Sequence, residues 1–169
     1  MNLRALTDRL EPFPAALRAM VGDLSEEDAR WRPEPGAWSI LEIVNHMADE
    51  EGEDFRTRIR LTLEDPSQEW PTIDPAGDVE RRRYNERDLS DSLAAFVRAR
   101  AETVAWLRGL DAPDWENAHV RNGMRLCAGD VMASLAAHDP LHLRQIAKRL
   151  FELVDRDTGE FETNYAGVW

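Results

Sequence analysis

Apolar residues recur along most of the chain at spacings of three and four, so the sequence reads as helical rather than as strands. Leu3, Leu6, Leu10, Phe13, Leu17, Met20 and Val21 make one such stripe, the mark of a helix with one buried face. Pro12 and Pro14 interrupt it and predict a kink or a late start, because proline brings no N–H to the helical ladder. Residues 22–37 read as a connection, with two prolines and a glycine near its end. The second helix has a marked entrance, where Ser39 caps and Glu42 completes a capping box. Ile40, Leu41, Ile43, Val44 and Met47 follow, and the polar half continues through Arg56 to Leu63. Residues 65–87 carry Pro66, Pro71 and Pro75; so long a connection is uncommon in a compact domain and tends to be functional or partly ordered. A third helix is expected from Ser90 through Leu93, Phe96, Val97, Val104 and Leu107 to Leu110. Residues 111–127, with Pro113 and Gly123, read as a loop. The last long helix starts around Asp130 and carries Val131, Met132, Leu135, Leu141, Ile146 and Leu150.

Four long amphipathic segments and no convincing strand predict an all-α fold, a four-helix bundle. One domain over 1–154 is expected, with a C-terminal tail at 155–169 that shows no clear period. The length of 169 residues suits a single domain. No stretch approaches the ~18 consecutive apolar residues of a membrane span. The start lacks the pattern of a signal peptide, which predicts a cytoplasmic protein. Cys127 is the single cysteine; an internal disulfide is excluded, and a reducing compartment fits. A formal net charge of −12 argues against a nucleic-acid partner, which would need a basic face to displace counterions. The one dense basic cluster, "ERRRYNER" at 80–87, has glutamates around it and reads as solvated surface or local ion pairing.

The chemistry rests on three of the four histidines. His46 lies in the second helix, and His138 and His142 lie four residues apart in the last. Positions four apart on a helix differ by a net turn of about 40° at ~100° per residue, so the pair projects from one face. Two imidazoles so placed can share a cation, with His46 arriving from a facing helix. Pro140 sits between them. Either the helix kinks there and the shared face survives, or Asp139 caps a fresh helix and the spacing argument weakens. A histidine in a bundle is also commonly a core residue bonded to a neighbour. His119, beside Gly123, reads as surface, and Cys127 as a small buried hydrophobe rather than a ligand.

"LSEEDARWRPEPGAWSILEIVNHMADEE" resembles the DinB-like superfamily, in which a loop ending in Pro, Gly and Trp-Ser leads into a helix with the first ligand histidine. "RNGMRLCAGDVMASLAAHDPLHLRQI" resembles that superfamily's last helix, with paired histidines followed by Leu and Gln-Ile, and 84–116 fits its third segment. The resemblance covers the chain from the first helix to Leu150. It implies a four-helix bundle of DinB-like type that binds a divalent metal through His46, His138 and His142, in a group related to thiol-dependent transferases and hydrolases.

Three neutral imidazoles leave coordination positions open, as in catalytic rather than structural zinc sites. Water bound to such a metal titrates near pH ~7, and a thiol ionises more readily still. Zinc is the first expectation, and nickel, iron and manganese also accept nitrogen ligands. Glu42 and Glu50 flank His46 by one turn and are candidates for a general base or a second-layer partner. The capping box alone accounts for Glu42, and a solvated acidic face for Glu50. Asp139 and Gln145 are candidates of the same kind, and Trp38, Trp106 and Trp115 either wall a pocket or fill the core. The expected activity is transfer of a low-molecular-weight thiol to a small electrophilic substrate, or its hydrolysis by water. The alternative is a non-catalytic, stress-related binding module with a structural or vacant metal site. A homodimer through an exposed helix face is compatible with either.

Overall fold

The computed structural model describes residues 1–167; Val168 and Trp169, the end of the expected tail, lie outside the described residues. The chain is a four-helix bundle. Its first long segment is α1, Leu3–Leu10, followed by α2, Phe13–Val21. A short α3, Glu26–Arg30, stands in the expected connection, capped by the Ser25 hydroxyl on the Asp28 N–H. The second long segment is α4, Ile40–Asp49, a π-helical stretch Glu50–Arg56, and α5, Thr57–Glu64. The capping box forms: Ser39 Oγ accepts from the Glu42 N–H, and the Glu42 carboxylate accepts from the Ser39 N–H at 2.8 Å. The third is α7, Leu89–Arg108, capped by Asp88. The fourth is α8, Ala128–Thr158. No helix among the described residues is long and apolar enough to cross a membrane.

Three expectations need correction. The 65–87 connection carries α6, Pro75–Arg81, and a 3-10 turn at Tyr84–Glu86. Arg82 there pairs with Asp49 and Glu53 of the second segment, and Arg87 donates to Asn45 Oδ1, so the basic cluster is ion-paired across elements. The 111–127 loop contains a hairpin, β1 Ala118–Arg121 against β2 Met124–Cys127, antiparallel with Arg121 opposite Met124. Asn122 and Gly123 form its turn, both at positive φ, the backbone that two-residue hairpin loops require. Finally, His119 is buried, at 3% exposure, not on the surface. The strand pleat turns Val120 outward and His119 inward, onto Trp70 with ring centres 4.8 Å apart. Its Nδ1 lies 3.0 Å from the Pro66 carbonyl, and Trp70 donates to Thr62 Oγ1, so the hairpin pins the preceding loop to α5.

The core is split into two apolar halves. One gathers Leu10, Phe55, Ile59, Leu107, Met132 and Leu135; the other gathers Leu17, Ile43, Met47, Phe96, Ile146 and Leu153. Each draws on all four long segments. Between them runs a polar belt, centred on Glu51, Arg100 and Asp139, all nearly fully buried.

The backbone is irregular at that same level. The first segment breaks between Leu10 and Phe13, the second is π-helical at Glu50–Arg56, and the fourth carries Pro140 inside one continuous helix. The continuous α8 resolves the question of Pro140 in favour of a shared histidine face. Leu10 shows how the belt repairs such a break. Its carbonyl would accept from the N–H four residues on, but that residue is Pro14, which has none. Arg100 Nη1 donates to this carbonyl instead, at 2.9 Å.

Candidate metal centre

α4 brings His46 to the belt from one side, and α8 brings His138 and His142 from the other. One ligand atom from each of the three lies within 4.8 Å of the others. His138 Nε2 and His142 Nε2 are 2.9 Å apart, close to the roughly 3 Å between two nitrogens that each sit ~2.0–2.1 Å from one cation. The His46 ring centre is 5.3 Å from that of His138 and 4.8 Å from that of His142.

The surroundings keep these rings neutral. Burial, then the charge of His142, pushes His46 down to about 4. Burial, followed by His142, His46 and Arg100, pushes His138 down to about 3. Burial also lowers His142, against the pull of Gln145. Neutral imidazoles are the form that binds metal. His142 Nδ1–H donates to Gln145 Oε1 at 2.8 Å, so its Nε2 presents a lone pair towards His138. Both the ring chemistry and the convergence of the nitrogens therefore fit a divalent cation.

The other candidates separate. Glu42 is fully buried, engaged in the capping box and by Arg32, whose Nε donates to Oε2 at 3.0 Å. Both of its carboxylate oxygens are engaged by these partners. Glu50 is not on a solvated face. It is 9% exposed, and its Oε1 lies 3.9 Å from His46 Nδ1. Burial first, then Asp54, raises its carboxyl to about 8. Asp139 points into the Arg100 cluster, with Oδ2 2.6 Å from Nη1. Trp38 packs on His46 with ring centres 5.0 Å apart. Trp106 and Trp115 pack against the apolar half that holds Leu10 and Leu107. Cys127 is buried at the start of α8, with its N–H donating to Asp130 Oδ2.

Phe55 was not singled out in the sequence, yet its ring stands edge-on to His138 at 4.9 Å. Its signal was a place at the end of an acidic run where a solvated face should have continued. Asp54 beside it is buried as well and pairs with Arg58 at 2.5 Å.

The sequence matches the DinB superfamily over residues 9–146. The chain belongs to the DinB superfamily. A solved structure with the same fold is that of YfiT from Bacillus subtilis, described as "a probable metal-dependent hydrolase with an unusual four-helix bundle topology". The two align with a TM-score of 0.79 at 19% identity, over 89% of this chain and 87% of that one. At that identity the likeness establishes the fold. No curated protein matches the chain. Within the DinB frame, the three histidines are the one group among the described residues with the spacing of a metal site.

Proposed function

We propose that His46, His138 and His142 hold one divalent cation, zinc before nickel, iron or manganese, at which a small electrophilic substrate is hydrolysed or receives a low-molecular-weight thiol. The observation that carries this reading is the convergence of three neutral imidazoles from two facing helices. A cation on three uncharged ligands keeps its charge and open positions, and so acidifies a water or thiol that it binds.

The protein's own groups supply the rest. Gln145 fixes the tautomer of His142 by accepting its Nδ1–H, leaving Nε2 free. Trp38 and Phe55 cover His46 and His138 with apolar rings and limit water on those sides. Glu50, next to His46, is the carboxyl that burial keeps protonated, and it can hold a proton beside the triad and give it up to a reacting group. Glu42 has no part in this. The likeness to YfiT, a probable metal-dependent hydrolase, favours hydrolysis as the reaction to test first.

The test is elemental analysis of tag-free protein beside His46→Ala and His142→Ala. One metal ion per chain, absent from both variants, is the expected result. Hydrolysis of chromogenic esters and thiol conjugation to an alkylating electrophile then separate the two reactions, and Glu50→Gln should slow the one that operates while keeping the metal. Wild-type protein that stays empty after incubation with zinc, nickel, iron and manganese overturns the reading.

A further inference from the structure

A cavity of about 640 Å³ opens beside the triad along the outer face of α8. Its lining combines His138, His142 and Gln145 with Arg144, Lys148 and Arg149. Leu141 is its apolar wall, and no carboxylate lines it. That is unexpected in a chain with a net charge of −12. Cations gathered in one concave surface focus the local potential on a negative ligand, whatever the sign of the whole.

The three cations are only partly engaged by the fold. Arg149 is 8% exposed, yet its Nε and Nη1 have no hydrogen-bond partner. Glu152 lies 3.0 Å from Nη1, an ion pair without hydrogen-bond alignment, and 3.8 Å from Lys148 Nζ. Arg144 is exposed and makes no hydrogen bond or ion pair among the described residues. A buried guanidinium with idle donors is costly, and an oxyanion satisfies it through paired N–H bonds.

We propose that the substrate handled at the triad carries a carboxylate or phosphate group, held by Arg144, Lys148 and Arg149. From His142 to Arg149 is two turns of helix, so the anionic group lies roughly 10 Å along α8 from the reacting end. The substrate class is therefore a small acid with its electrophilic centre several bonds from the charge. This rests on the triad as the reaction centre; binding of the anion itself does not.

Calorimetric titration of inorganic phosphate and of succinate into zinc-treated protein tests it. The variants are Arg144→Gln with Lys148→Gln, both exposed and safe for folding, then Arg149→Gln and His46→Ala, each checked by circular dichroism. Wild type should bind at least one of the two anions, and the double variant should bind it at least about tenfold more weakly with its metal content unchanged. Tighter phosphate points to a phosphorylated substrate, and tighter succinate to a carboxylic acid. His46→Ala should keep the anion while losing the metal, which separates the cationic wall from direct ligation. Equal binding by wild type and the double variant, no binding by wild type, or complete loss in His46→Ala overturns the proposal. A protein that takes up no metal but shows the double-variant loss refutes the metal reading and leaves the anion site standing.

Discussion

Two polar clusters share the middle of this bundle, and their bonding is opposite. Around Arg100 every donor is used: Nε and Nη2 bind Glu51, Nη1 and Nη2 bind Asp139, and Nη1 also reaches the Leu10 carbonyl. Flanking Asp139 on α8, the histidines carry no charge, and the Nε2 atoms of His138 and His142 face each other. The first cluster has nothing left to offer a ligand; the second presents lone pairs to a shared point. Burial alone therefore does not mark a functional polar group. Saturation separates the two, and the unsaturated cluster is the one able to do chemistry.

The comparison breaks first if Arg100 can be removed cheaply. Arg100→Ala strands two buried carboxylates and should cost about 3–5 kcal/mol in chemical denaturation. Replacing the cluster together, with Arg100→Met, Glu51→Leu and Asp139→Leu, should recover most of that loss, because no charge is then stranded and only the Leu10 carbonyl loses its donor. Gln145→Leu should leave the fold stable and weaken metal affinity roughly 10–100-fold in a competitive chelator titration, since His142 loses its orienting partner. An unchanged affinity would show that Gln145 positions nothing.

Acidification sharpens the contrast further. His46 and His138 are held near 4 and 3 in the fold, against about 6.5 when unfolded. Between those values the unfolded chain binds protons that the native one does not, so stability is full above pH ~6.5 and falls as pH drops through that window. Metal-free protein should show this by denaturation at successive pH values, and His138→Phe should flatten the slope. Smallest of all, Ser39→Ala removes one cap and should cost about 1 kcal/mol, with no change in metal content, because Ser39 and Glu42 belong to the helix entrance rather than to the site.

Periodicity made the four long segments legible because each keeps its apolar stripe in sequence, and the i, i+4 histidines announced their shared face. The belt was less visible. Arg100 stands four residues from both Phe96 and Val104, and Glu51 four from both Met47 and Phe55. These are core positions, but a charged residue in a stripe reads as a gap unless its partners on other helices are known. The Asn122-Gly123 dipeptide was a local signal for the hairpin, and with it for the burial of His119. The cationic wall was hidden for another reason: Arg144, Lys148 and Arg149 look like the solvated face of any helix until the concavity beside them is seen.

The coincidence of broken backbone with the polar belt has a mechanical side. A helix bends most easily where its hydrogen-bond ladder is interrupted, and three of the four long segments are interrupted at one height. A tilt of one apolar half against the other is thus absorbed at the level where the imidazoles meet, and little of it is spread along the regular turns above and below. The gap between their nitrogens becomes the dimension most responsive to strain elsewhere. A core substitution far from the triad, in either half, would be read out there first, as a change in how tightly three rings can close on a single ion.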